Sequence, residues 1–166
     1  MIGRLLSATL LSIALCAGPV SADTVQMVRD GFRICAKHAA QTRKAAADLE
    51  EIGWFSQGIV NDLRLFFNKR RDGFAAIDSA SYGQNVCAFG VKDMKLPTSL
   101  KLGEETARAL FGKSMQAMPR SEIDDPGIKA AWVGNIGQFE AGLAVYKEVN
   151  YQNFYRGSAL MLVFKQ

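Results

Sequence analysis

The clearest hydrophobic pattern of the chain lies between residues 24 and 52. Apolar residues recur there at spacings of three and four, which places them on one face of an amphipathic helix. Gly53 fits the position just after the end of such a helix. Because Gly31 and the stretch 40–42 could interrupt the segment, the pattern allows either one long helix or two shorter ones.

The remaining pattern is mostly typical of strands. Residues 63–67 and 74–77 flank a turn that contains Asp72-Gly73, an arrangement that predicts a β-hairpin. Apolar or alternating runs predict four more strands, at residues 85–91, 128–133, 138–147 and 158–164. We interpret the other segments as a connection at 54–60, a loop at 79–84, a helix at 102–118, a charged loop at 119–127 and an aromatic, polar loop at 149–156.

Together these elements predict a single small α+β domain. We expect a mostly antiparallel sheet of about five to six strands, packed on a long N-terminal helix and a second helix. The helices are expected to cover one face of the sheet. No linker, repeat or low-complexity block divides the chain into two domains.

Residues 1–22 have the pattern of a cleaved signal peptide. A basic residue, Arg4, precedes an apolar run at 5–16, and Val20-Ser21-Ala22 fits the small-x-small rule for cleavage before Asp23. The apolar run is shorter than the roughly 20 residues that span a bilayer. Residues 23–166 are therefore expected to form an exported domain without a transmembrane segment, in the bacterial periplasm or outside the cell. Cys16 raises a lipoprotein as the alternative, although Leu15 stands where a lipobox needs a small residue.

Export changes the interpretation of the cysteines, because cleavage removes Cys16 and leaves Cys35 and Cys87. Cys35 lies in the middle of the apolar helix face, and Cys87 lies in an alternating strand pattern. Both thiols would then lie where the helix meets the sheet. In an oxidising compartment this pair predicts one disulfide. The alternative is two buried free thiols, and the absence of a C-x-x-C motif argues against a redox-active pair.

Composition and motifs restrict the chemistry. The 166 residues carry a net charge of +4 and are 49% hydrophobic, which excludes a disordered chain and gives no indication of nucleic-acid binding. His38 is the only histidine, so we interpret it as structural rather than as part of a metal site or catalytic triad. The acidic pairs Glu50-Glu51, Glu104-Glu105 and Asp124-Asp125 are adjacent in sequence and do not face each other across a cleft. No phosphate-binding loop or nucleophile elbow is present, and no cofactor is expected.

Two groups of side chains are candidates for contact with a partner. A basic cluster at the predicted hairpin would attract anionic groups, and it comprises Arg64, Lys69, Arg70 and Arg71. An aromatic group near the C-terminus could form a contact surface, and it comprises Tyr146, Tyr151, Phe154 and Tyr155. The alternatives are a solvated turn that protects a sheet edge and aromatic packing within the fold.

The sequence therefore favours a small exported, non-enzymatic binding or accessory protein. Its partner would be another protein, an envelope glycan or an anionic lipid, and not a nucleic acid. Two alternatives remain: an enzyme whose site contains no recognisable motif, and a structural subunit of a cell-envelope assembly.

Overall fold

The computed structural model describes residues 21–39, 41–78, 85–151 and 154–165. The helices are α1 (Ala22–Lys37), α2 (Thr42–Glu51) and α3 (Leu96–Phe111). The strands are β1 (Trp54–Val60), β2 (Leu63–Asn68), β3 (Gly73–Asp78), β4 (Asn85–Val91), β5 (Gln116–Ala117), β6 (Ile128–Ile136), β7 (Phe139–Tyr151) and β8 (Tyr155–Phe164). Short 3-10 turns lie at Gly112–Ser114 and Arg120–Glu122. The predicted signal peptide, apart from Ser21 and Ala22, and the predicted loop 79–84 lie outside the described residues.

All of these strands form one antiparallel sheet in the order β1-β2-β3-β4-β8-β7-β6-β5. Strands β1 to β4 follow one another as a meander, α3 crosses to the far side, and β8 returns to pair with β4 in the middle. The α+β class and the antiparallel sheet are therefore confirmed. The expected five to six strands are wrong, because the sheet has 8 strands and both edge strands lack a clear sequence pattern.

The edge strand β1 covers the segment that was interpreted as a connection, residues 54–60. Its register with β2 shifts between Ser56 and Gly58, so an extra residue interrupts the alternation of buried and exposed side chains. Gly58 has a φ of +110°, a backbone conformation that glycine adopts without strain. The bulge therefore explains why a strand of seven residues has no period of two in its sequence.

The helices are shorter than the sequence pattern indicates. The segment 24–52 forms two helices, and the expected long N-terminal helix is wrong because α1 has only 16 residues. Helix α3 begins at Leu96 rather than at residue 102, since Pro97 lies in the first turn, where a missing N–H costs nothing. It ends at Phe111 rather than at 118, because Gly112 leaves the helical conformation with a φ of +52°.

The main core lies between the helices and one face of the sheet, here called the inner face. Phe32 of α1 and Trp54 of β1 both pack edge-on against Phe89 of β4, with ring centroids 4.6 and 5.6 Å apart. Beside them the disulfide Cys35–Cys87 joins α1 to β4, with a Cα–Cα distance of 6.5 Å. The predicted helix-to-sheet bridge is confirmed, and both cysteines are almost completely buried.

The opposite face of the sheet, here called the outer face, has a second apolar cluster. Its buried members are Leu65, Phe67, Phe74, Ala76, Ala88, Tyr155 and Ala159. The end of the β7–β8 hairpin lies over these residues, following a shift in register between Tyr146 and Val149. The predicted loop 149–156 is thus largely strand, because β7 continues to Tyr151 and β8 begins at Tyr155.

Candidate functional site: an apolar groove on the outer face

A groove of about 340 Å³ lies on the outer face beside the end of β3. Its floor is formed by Ala76 and Ala88, which are directly paired across β3 and β4. Larger side chains surround these alanines, namely Leu63, Val86, Tyr151 and Met161. Because two methyl groups lie side by side where longer side chains stand on the flanking strands, the sheet surface is hollow at this point. A largely apolar hollow of this volume is typical of a small-molecule site.

Asp78 is the only charged residue among the described residues that line the groove. It is the last residue of β3, it pairs with Leu63 of β2, and only 3% of its surface is exposed. A carboxylate among apolar side chains is costly unless other groups compensate it, and Asp78 does have an interaction within the chain. The groove therefore has an apolar body and an acidic end.

Tyr151 closes the groove from above, since it belongs to the hairpin end that lies over the outer face. Its ring centroid is 4.9 Å from that of Phe74. Burial raises the pKa of Tyr151, and nearby Tyr146 raises it further. Burial also raises the pKa of Tyr146, and the negative charge of Asp125 raises it further. Both phenols thus keep their protons at neutral pH, where they can donate hydrogen bonds but cannot act as bases.

Tyr155 has a packing role rather than a contact role. Its ring stacks on Phe74 at 4.8 Å, and its hydroxyl donates its one proton towards the carbonyl oxygen of Ser158 at 2.5 Å, with the carbonyl oxygen of Val91 3.3 Å away. A Cβ atom on Gly90 would overlap this ring, so glycine is needed where the hairpin end crosses β4. The predicted aromatic group is therefore divided: Tyr155 holds the hairpin, Tyr151 lines the groove, Tyr146 lies beside it, and Phe154 is exposed.

The predicted basic cluster comprises Arg64, Lys69, Arg70 and Arg71. Three of these lie together in the exposed β2–β3 turn, but Arg64 lies five residues before Lys69, which is roughly 17 Å along an extended strand. Arg70 donates hydrogen bonds to Ser21 and Asp23 at the start of α1. The guanidinium of Arg71 lies 6.0 Å from the ring centroid of Phe67. At least two of the four side chains thus have structural partners.

A larger cleft, of about 530 Å³, lies between the end of α1, the start of α2 and the β6–β7 turn. His38 lines it, and its Nε2 atom is 2.7 Å from Oδ2 of Asp48. The same oxygen accepts a hydrogen bond from Nζ of Lys37 at 2.9 Å. Hydrogen bonds from Lys37 and then His38 lower the pKa of Asp48. These contacts connect α1 to α2, and no serine or cysteine is present among the described lining residues.

Within the four described ranges, no group of three or more His, Cys, Asp or Glu residues is placed to hold a metal ion. None of the helices there combines the length and the apolar character needed to cross a bilayer. Comparison with known proteins adds no relative, since no family model, curated protein or solved structure matches the chain.

The groove residues carry no motif that a sequence pattern could reveal. Ala76 and Ala88 are ordinary members of buried strands, and their hollow depends on the register that pairs them. The one available signal is Asp78, an acidic residue at the end of an otherwise apolar strand. Tyr151 was identified from the sequence as a contact residue, but its position over β2 and β3 depends on the bend of the hairpin.

Proposed function

We propose that the protein is a non-enzymatic binding protein that holds a small, largely apolar molecule in the outer-face groove. The observation that carries the proposal is the groove itself, which has an alanine floor, apolar walls and one acidic residue at its end. Sites for small molecules have this composition, with a few polar groups that orient the ligand. Residues 23–166 would perform this function after export, and the disulfide between Cys35 and Cys87 is consistent with an oxidising compartment.

The lining favours binding over catalysis. Among the described lining residues, the groups that could take part in proton transfer are the carboxylate of Asp78 and the hydroxyl of Tyr151. The pKa of Tyr151 is raised, so its phenolate is not available as a base near neutral pH. No serine, cysteine, histidine or lysine lines the groove within the described part of the chain.

A fluorescent apolar probe tests the proposal directly. N-phenyl-1-naphthylamine, which is uncharged at neutral pH, should bind the purified protein saturably with an increase in emission. Ala88→Leu should weaken this binding by about tenfold or more, because the added side chain fills the space that the ligand needs. Ala117→Leu is the matched control, since it adds the same group to the exposed edge strand β5 and should leave binding unchanged.

Near-ultraviolet circular dichroism should show that both variants keep the native packing. Absence of saturable binding by the unmodified protein would contradict the proposal. Equal binding by Ala88→Leu and the unmodified protein would show that the probe binds elsewhere, and would also contradict it.

A further inference from the structure

We infer that the protein forms a dimer in which β1 of one copy pairs antiparallel with β1 of a second copy, so that one sheet continues through both copies. The inference concerns the edge of the sheet and does not depend on a ligand in the outer-face groove. It rests on the apolar side chains that β1 exposes, on the difference between the two sheet edges, and on the charges at the two ends of β1.

The large apolar side chains that are exposed within the described residues are concentrated at β1. Phe55 is 52% exposed and Ile59 is 56% exposed, and Ile52, which lies just before the strand, is 39% exposed. The one other such residue in the described ranges is Phe154, in the turn between β7 and β8. Apolar side chains that collect at one place on a surface are typical of a contact with a partner.

The exposed side chains of β1 lie on both faces of the sheet edge. Phe55 is paired with Phe67, which belongs to the outer-face cluster. Ile59 is paired with Arg64, and Arg64 alternates along β2 with Leu65 of that cluster, so Arg64 and Ile59 lie on the inner face. A strand added beside β1 would cover side chains on both faces, whereas the surface of a bilayer would contact chiefly one face. The exposed residues therefore favour a partner that extends the sheet.

The two edges of the sheet differ in how far they resist the addition of a strand. At one edge, β5 has only two residues, and so short an edge offers few N–H and C=O groups to another strand. At the other edge, β1 has seven residues, and none of them is charged or a proline. The bulge between Ser56 and Gly58 interrupts β1, but residues 54–56 keep a regular register with β2. This part of β1 can therefore accept another strand.

The charges at the two ends of β1 identify a second copy as the partner. Glu51 is exposed at the end of α2, close to the start of β1, and Arg64 is paired with Ile59 near the end of β1. In an antiparallel pair the start of one strand lies beside the end of the other. A pair centred on Phe55 keeps outer-face side chains together and brings Glu51 of each copy near Arg64 of the other. Opposite charges would thus meet twice, whereas a parallel pair would bring like charges together.

Light scattering coupled to size-exclusion chromatography tests the inference on protein purified after export. The measured mass should rise from that of one chain to that of two chains as the concentration increases. Phe55→Lys should weaken self-association by about tenfold or more, because two lysines would meet at the centre of the pair. Phe154→Lys is the matched control, since it makes the same change at an exposed phenylalanine away from β1 and should leave self-association unchanged.

An exchange of charges distinguishes a second copy from any other partner. Glu51→Lys and Arg64→Glu should each weaken the dimer by about threefold or more, because each variant places two pairs of like charges across the interface. An equimolar mixture of the two variants should form mixed dimers with about the affinity of the unmodified protein, since both pairs are then opposite in charge. Added salt should reduce these differences.

The outcomes that would overturn the inference are distinct. The mass of one chain at every concentration would do so, as would equal weakening by Phe55→Lys and Phe154→Lys. Mixed dimers of Glu51→Lys and Arg64→Glu that are no tighter than those of either variant alone would contradict the antiparallel pair. A monomer that binds vesicles of anionic phospholipid through Phe55 would show that the exposed residues contact a membrane instead. Circular dichroism should show that each variant is folded, and if Phe55→Lys is not, the charge exchange decides the question.

Discussion

At the scale of single residues, small side chains determine the shape of this fold. Ala76 and Ala88 create the groove, and Gly90 makes room for the Tyr155 ring. On the inner face, Gly103 of α3 lies against Val145 of β7 and Trp132 of β6, where a Cβ atom would overlap the valine methyl group. Substitutions at such positions act through packing rather than through lost contacts.

Gly103→Ala should therefore destabilise the protein, although alanine is the better helix former. Val145 is β-branched and lies within a strand, so it cannot move aside easily, and overpacking of this kind costs about 1–3 kcal/mol. Urea denaturation should show the decrease as a lower midpoint with an unchanged slope. Gly142→Ala is the control, because its Cβ atom would have no neighbour closer than 3.8 Å. An equal effect of both substitutions would show that packing against α3 is not the cause.

At the scale of elements, the end of the β7–β8 hairpin is the segment that converts a sheet face into a groove. Tyr155 holds this segment by stacking on Phe74 and by donating its hydroxyl proton towards the carbonyl oxygen of Ser158, beside that of Val91. Burial is the main cause that raises the pKa of Tyr155 above the usual 10.0, and the charge of Asp93 adds to it. The protonated hydroxyl is thus part of the folded arrangement.

Stability should therefore fall when the pH rises above 10, whereas below pH 10 this residue should contribute no pH dependence. In that range the unfolded chain loses the tyrosine proton while folded Tyr155 keeps it, so the unfolded state binds fewer protons. Tyr155 then lowers the free energy of unfolding by up to about 1.4 kcal/mol per pH unit. In Tyr155→Phe the decline of the unfolding free energy with pH should be shallower by up to about 1.4 kcal/mol per pH unit, because phenylalanine has no proton to lose. The loss of the hydroxyl's hydrogen bonding should cost about 1–2 kcal/mol at pH 7.

Urea denaturation between pH 8 and pH 11.5 provides the measurement, over a range set by the usual tyrosine pKa of about 10. Tyr146→Phe is the comparison, because the Tyr146 side chain is less buried and should change the slope less. If the unfolding free energy has the same pH slope in the unmodified protein and in Tyr155→Phe, the hydroxyl of Tyr155 titrates alike in the folded and unfolded states, and the prediction is contradicted.

The elements also show which features a sequence pattern can predict. Short apolar or alternating runs predicted strands at residues 63–67, 74–77 and 85–91. The observed strands β2, β3 and β4 have nearly the same bounds. Strand β1 was missed because a bulge interrupts its alternation, and β5 because two residues define no period. The start of α3 was predicted too late, at residue 102, although Pro97 fits the first turn of a helix that begins at Leu96.

The groove could not be predicted for a different reason. Each of its residues is compatible with a buried strand, and only the register of β2, β3, β4 and β8 and the bend of the hairpin bring them together. Prediction of the disulfide needed less information. The apolar face of one helix and the alternating pattern of one strand were enough to place Cys35 opposite Cys87. A feature that depends on one pair of elements can thus be predicted from the sequence, whereas a site to which five strands contribute cannot.

At the scale of the whole molecule, the disulfide joins two parts of the chain that are 52 residues apart in sequence. It ties α1 to the central strand β4, and α1 is fixed at its other end by a hydrogen bond from Thr24 to Asp72 in the β2–β3 turn. Closing a loop of this length stabilises a fold by about 4 kcal/mol in the chain-entropy model. The stability of the molecule should therefore depend on the compartment in which it folds.

This dependence on the compartment can be measured on the exported protein. Protein recovered from cells that export it should begin at Asp23 and should have a mass two hydrogens below that of the dithiol form, as measured by intact mass spectrometry. The double variant Cys35→Ala with Cys87→Ala should lose about 4 kcal/mol of unfolding free energy. Residues 23–166 produced in a reducing cytoplasm serve as the control, and oxidation should restore their stability to that of the exported form. Free thiols on Cys35 and Cys87 in the exported protein, or a chain that keeps residues 1–22, would contradict the proposed route.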